Sequence, residues 1–190
     1  LDRLAYGRGD HVALAALARR QSPAASREDP SWLAALAVRA ATLLVGLGQP
    51  EEAAATLRRG LEAHPDYLPA VRLLRRLAEQ LGDWQETAEL LLREGDLAAA
   101  PESARAALLR AGNVLLDHFN DTSRARVAYE RVCAADPQNG AAFGRLAALL
   151  AAAEEWRALV QLYRRRMAAL EPSARVPLLL ELAGLHRDRL

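Results

Sequence analysis

Four histidines, one cysteine and two pairs of adjacent glutamates are the residues of this chain that first suggest metal, nucleophilic or acid–base chemistry. The histidines, His11, His64, His118 and His186, are widely separated in sequence. A metal centre needs several ligands that converge, and neither a His-x3-His nor a Cys-x2-Cys spacing occurs. Cys133 is the only cysteine, so no intramolecular disulfide can form. It falls inside a helical pattern, where a buried structural thiol is a simpler reading than a nucleophile. Glu51-Glu52 and Glu154-Glu155 fall at helix starts, where the positive end of the helix dipole favours carboxylates. That explains them better than acid–base catalysis does. No Gly-x-Gly-x-x-Gly and no P-loop are present, so nucleotide chemistry has no support. The expectation is a non-enzyme with no catalytic residue, no metal and no cofactor.

The elements that must position any site are helices. Alanine occurs 42 times and leucine 36 times in 190 residues, isoleucine and lysine are absent, and all 25 cationic side chains are arginine. Ala, Leu, Arg, Glu and Gln are strong helix formers, whereas a sheet core would need the β-branched residues that are scarce here. The same bias looks like a GC-rich coding sequence, as in many bacteria. A net charge of +1 argues against a nucleic-acid binder. No run of 18 apolar residues free of charge exists, which argues against membrane insertion. The start LDRLAYGRGD shows neither a signal-peptide pattern nor an initiator Met, which predicts a cytoplasmic segment of a longer protein.

The chain repeats with a period of 72. Gly82-Asp83-Trp84 matches Glu154-Glu155-Trp156, His64-Pro65-Asp66 matches Asp136-Pro137-Gln138, and Leu43-Leu44 matches Leu115-Leu116. Ala53 falls on Ala125, Leu57 on Tyr129, and Val71 on Phe143. Gly9-Asp10-His11 joins with a one-residue slip. Each unit divides into two halves, and each half reads as two helices. Over 31–47, Leu33, Leu36, Ala40, Leu43, Leu44 and Leu47 follow the i, i+3, i+4, i+7 pattern, with Ser31 as a plausible N-cap. Gly48-Gln49-Pro50 breaks that helix, Pro50 suits the first turn of the next, and Pro65 ends it. The same grammar predicts helices at 67–81 and 83–96, 103–119 and 121–135, and 139–153 and 155–170. A half-unit precedes them at 1–21, and one helix follows at 174–189. One hairpin cannot bury both of its apolar stripes, but stacked hairpins can. Trp84, Trp156, Tyr129, Tyr163 and Phe143 are expected to fill the larger gaps.

With Gly48-Gln49-Pro50-Glu51-Glu52-Ala53, Leu57 and His64-Pro65-Asp66, the sequence resembles the tetratricopeptide repeat (TPR) family. Ala111-Gly112-Asn113 with Ala125, Tyr129 and Asp136-Pro137 form a second match, with one extra residue in the turn. Phe143, Leu146, Trp156 and Tyr163 form a third. Thr87 stands where the family has a small Ala, Ala158 lies one place early, and the terminal Pro slips to Pro101 and Pro172. The resemblance implies an all-α chain folded as a right-handed α-α superhelix of antiparallel helical hairpins. It implies a single solenoid over 1–190, with repeats at about 31–66, 67–101, 103–138 and 139–172.

In that family the first helix of each hairpin lines a concave groove that holds peptides or helices. By register, Val38, Thr42, Arg72, Arg76, Glu79, Asn113, Gly144, Arg145, Ala148 and Ala151 face it. Arg72, Arg76, Glu79, Asn113 and Arg145 are the expected partner-binding set. Arg72 and Arg76, four apart, share a helix face, and two guanidiniums beside an amide could grip a carboxylate. The likeness to the family's carboxylate clamp is incomplete, because Val38 and Thr42 stand where its first Lys and Asn would be. The plainer reading of Arg72 and Arg76 is a solvated face. Gly144, Ala148 and Ala151 form a smooth strip that could accept a partner helix or pack on a neighbour, and Arg164-Arg165-Arg166 reads as a solvated helix end. Leu178, Leu179, Leu182 and Leu185, with Leu1 and Leu4, leave apolar ends, which predicts either a longer array or end-to-end self-association.

These readings converge on a non-catalytic scaffold for protein–protein interaction that binds a peptide, helix or domain, with acidic groups as a fitting feature of the partner. The alternative is a regulatory or sensor segment of a larger signalling or transcription-regulating protein. An all-α enzyme would need a charged or metal-bearing cavity that no motif here announces.

Overall fold

The computed structural model describes residues 30–189. The expected half repeat at 1–21, with Leu1, Leu4 and His11, lies outside the described residues. The described residues form nine helices and no strand: α1 (Pro30–Gly46), α2 (Pro50–Ala63), α3 (Leu68–Leu81), α4 (Trp84–Leu97), α5 (Pro101–Phe119), α6 (Thr122–Ala135), α7 (Gly140–Ala152), α8 (Trp156–Ala169) and α9 (Pro172–Arg189). The architecture is all-α, built of helical hairpins, as expected. The described residues divide into two compact units, with the boundary between Ala98 and Ala99.

The turns inside the hairpins explain the period. The helices α1, α3, α5 and α7 are each followed within two residues by a left-handed residue: Gly48 (φ 74°), Gly82 (φ 75°), Asn120 (φ 51°) and Glu154 (φ 56°). Gly48 and Asn120 are 72 apart, as are Gly82 and Glu154, so the sequence period is a period of backbone conformation. The left-handed residue lets the following N–H turn back onto the helix end. Gln49 N–H donates to the Leu44 carbonyl, Asp83 to Ala78 and Glu155 to Leu150, each at 2.9 Å. Asp121 reaches Leu115 at 3.0 Å, one residue further back, which is the extra residue expected in that turn. Turns between hairpins repeat in the same way: His64 N–H donates to Gly60 O, and 72 residues on, Asp136 N–H donates to Val132 O.

Helix starts follow two rules. Pro50 and Pro101 occupy first-turn positions, where the missing N–H costs nothing. Asp83, Asp121 and Asn139 cap α4, α6 and α7 by accepting the N–H of Glu86, Arg124 and Ala142, each at 3.0 Å. Two expectations need correction. Ser31 is not an N-cap, because Pro30 already opens α1 and Ser31 lies in its first turn. Helices expected from 103 and 174 start at Pro101 and Pro172, since a proline with φ preset for a helix begins one as readily as it ends the one before.

In the first unit, α1 packs on α2, α2 on α3, α3 on α4, and the first helices α1 and α3 also touch. Alanines bring α1 and α2 close: Ala34, Ala37, Ala53 and Ala54 are buried, and a Cβ on Gly60 would stand 2.5 Å from the Ala37 Cβ. Leu44, Leu57, Leu74, Leu77 and Leu91 fill the remaining space. Trp84 is less buried than the expectation requires. At the first residue of α4 it stays 36% exposed.

In the second unit each helix packs on the next, from α5 to α9. Tyr129 is fully buried, and its ring lies on Gly112, where a Cβ would meet Cε1 at 2.6 Å. Phe143 and Tyr163 meet edge to face at 5.0 Å. Tyr163 Oη donates to Glu181 Oε2 at 2.6 Å, tying α8 to α9. The apolar stripe expected on α9 splits. Leu178 and Leu182 are buried, whereas Val176, Leu179 and Leu180 are exposed; the Leu185 side chain lies outside the described residues.

Candidate binding surfaces

On α3 the expected basic face is partly committed within the unit. Arg72 Nε donates to Glu94 Oε1 at 2.8 Å, and Arg75 Nε donates to the other oxygen, Oε2, at 2.9 Å. Arg75 Nη1 also donates to Glu79 Oε1 at 2.9 Å. Arg75 and Glu94 are both buried. Two guanidiniums thus grip a carboxylate here, but the carboxylate is the chain's own. Arg76, one turn from Arg72, is exposed and has no ion pair or hydrogen bond among the described residues. On α1, Val38 is half-buried and Thr42 exposed, its hydroxyl donating back to the Val38 carbonyl at 2.8 Å. Sequence reasoning missed Arg75 and Glu94. The signal was there in part, since Arg75 and Glu79 are an i, i+4 pair.

In the second unit, Asn113 Oδ1 accepts the Tyr129 hydroxyl at 2.8 Å, so the amide oxygen braces its own hairpin. Burial pushes the Tyr129 hydroxyl pKa up, with Arg145 opposing. Arg145 is exposed and stands 4.0 Å from Asp117. Gly144 and Ala148 are also exposed and Ala151 half-exposed, leaving an open strip on α7 beside Arg145. Of the five expected partner-binding residues, Arg72, Arg76 and Glu79 therefore belong to the first unit, and Asn113 and Arg145 to the second.

The second unit also holds a cleft that no sequence motif announced. It measures about 500 Å³ and is lined by α6, α7 and α8. Phe143, Leu146 and Leu150 of α7 form its floor, and Cys133 and Leu162 its lower walls. The Arg166 guanidinium lies over the Phe143 ring at 4.6 Å, so this end of the arginine run is stacked and not simply solvated. Burial pushes the Cys133 thiol up, which disfavours the thiolate. Burial, and then the bond to Glu181, push the Tyr163 hydroxyl up as well.

The remaining candidates for chemistry stand apart. His64 packs near Tyr67 and His118 near Phe119. Glu51 and Glu52 lie in the first turn of α2, as dipole complementarity predicts. Glu155 occupies the N-cap of α8 without capping it, and its carboxylate accepts from Arg126. Glu154 precedes that helix as the left-handed turn residue. Among the described residues no group of three His, Cys, Asp or Glu side chains could hold a metal ion. Nor is any helix among them long and apolar enough to cross a membrane.

No protein-family model matches the sequence, and no curated protein matches it. Among solved structures the chain is similar to MamA, at 15% identity and a TM-score of 0.47, over 88% of this chain and 93% of that one. It is also similar to a tetratricopeptide repeat protein from Parabacteroides merdae, at 15% identity and a TM-score of 0.48, over 99% of this chain and 73% of that one.

Proposed function

We propose that the chain is a non-catalytic scaffold for protein–protein interaction, binding a peptide, helix or domain of a partner along the exposed faces of its first helices. The observation that carries this reading is Arg76: an exposed guanidinium on a first helix, with no carboxylate partner among the described residues, beside an Arg72 that a buried network holds in place. Arg145 and the open strip of α7 supply a matching face in the second unit. Arginine grips carboxylates with two parallel bonds, so acidic peptides are the fitting partners. A peptide array probed with the chain and with Arg76→Glu tests this. Acidic peptides should be retained by the wild type and lost by at least about tenfold on reversal of the charge. Retention unchanged by Arg76→Glu would sink the proposal.

A further inference from the structure

We propose that the cleft between α6 and α8 is a second docking site, for an acidic amphipathic helix of a partner protein. This surface is formed mainly by second helices, so it goes beyond the first-helix reading above. Both α6 and α8 pack on α7 but scarcely on each other, leaving a trough floored by α7. Its volume, about 500 Å³, suits a few large apolar side chains. Val127 on α6 is 56% exposed, and Phe143 is only half-buried, so the lining offers apolar surface to an occupant.

Charge decides which occupant. Four arginines line the cleft, Arg126, Arg131, Arg165 and Arg166, against a single glutamate, Glu130. That glutamate is taken by Arg126, which Glu155 also neutralises. Arg165 is exposed and has no ion pair or hydrogen bond among the described residues. Arg166 has no carboxylate partner among the described residues either: it stacks on Phe143 and donates to the Pro137 carbonyl at 3.5 Å. Two adjacent cations above an apolar floor complement a helix with leucines on one face and carboxylates along its edge, the helix-in-groove mode. The low-dielectric walls strengthen each charge contact relative to a flat surface.

The test uses the full chain and a fluorescein-labelled helical peptide with leucines on one face and glutamates on the other. A control peptide carries arginines in place of the glutamates. Fluorescence anisotropy should show saturable binding of the acidic peptide that weakens as salt rises, and no binding of the control. Arg165→Glu and Val127→Glu should each weaken binding by about tenfold or more. Both residues are exposed, so circular dichroism should show unchanged helix content. Arg76→Glu, which removes binding at the first-helix face, should leave the binding that depends on Arg165 and Val127 in place. Four results would overturn the proposal: no saturable binding, equal binding of the cationic control, binding indifferent to both rim substitutions, or a dimer in light scattering that Arg165→Glu dissolves, making the occupant a second copy. Sensitivity to Arg76→Glu alone would move the peptide to the first-helix face, overturning this site and leaving the other intact.

Discussion

Replacing Glu94 with alanine should cost the protein about 2–4 kcal/mol of stability, and the reason lies in what it leaves behind. The carboxylate accepts from Arg72 at 2.8 Å and from Arg75 at 2.9 Å. The two bonds are unequal. The Arg72 side chain is 38% exposed, so its share resembles a surface ion pair, at about 0–1 kcal/mol. Arg75 and Glu94 side chains are each 10% exposed, and stripping a buried ion of its partner costs about 3–5 kcal/mol. Glu79 stays bonded to Arg75 and softens that loss, which places the total at the lower end. Urea unfolding followed by far-ultraviolet circular dichroism gives the value. Glu86→Ala serves as the control: its bidentate pair with Arg58 is more exposed and should cost only about 1 kcal/mol. Replacing Arg75 and Glu94 together by leucines should recover much of the loss, because the penalty belongs to the unpaired charge. A Glu94→Ala loss below about 1 kcal/mol, equal to the control, would refute the buried-network reasoning.

Three further outcomes follow from the same packing. Gly112→Ala should destabilise by about 1–3 kcal/mol in thermal melts despite alanine's helix propensity, because the added Cβ meets the buried Tyr129 ring at 2.6 Å. Glu154→Gly should stabilise by about 1 kcal/mol in the same assay, since Glu154 holds φ at 56° and glycine relieves that strain. Stability should fall on the alkaline side: Cys133, Tyr129 and Tyr163 are all held above their ordinary values of 9.0 and 10.0. The folded state therefore keeps protons that the unfolded chain releases, so stability is full below about pH 9 and declines as pH rises toward the folded values. Urea midpoints across alkaline pH measure this, and Tyr163→Phe should flatten the decline; a curve flat to pH 11 would contradict it.

Most of the fold was legible because its punctuation is local. Pro50 and Pro65 bracket α2, Gly48 and Gly82 end their helices, and the 72-residue offset carries the same turns forward to Asn120 and Glu154. Glycine stands at two of these turns, whereas Glu154 is a residue type that does not signal left-handed backbone, and only the 72-residue offset ties it to Gly82. The binding surfaces were less legible. Arg72 and Arg76 share a helix face, but which guanidinium meets Glu94 depends on how α3 is rotated against α4, and that rotation selects Arg72 and Arg75. Asn113 was expected to face a ligand, yet its oxygen answers Tyr129, because a buried phenol needs an acceptor. The cleft arises from the spacing of α6 and α8 above α7, a distance that no motif encodes.

All the cations of this chain are arginines, so one spectrum reports nearly all of its charged donors. Arginine Nε–Hε resonances, recorded while an array-selected acidic peptide is added, test the first-helix surface most directly. The Arg76 signal should shift and saturate with the peptide, while Arg75, locked between Glu94 and Glu79, should stay in place. An unmoved Arg76 under saturating peptide would contradict it.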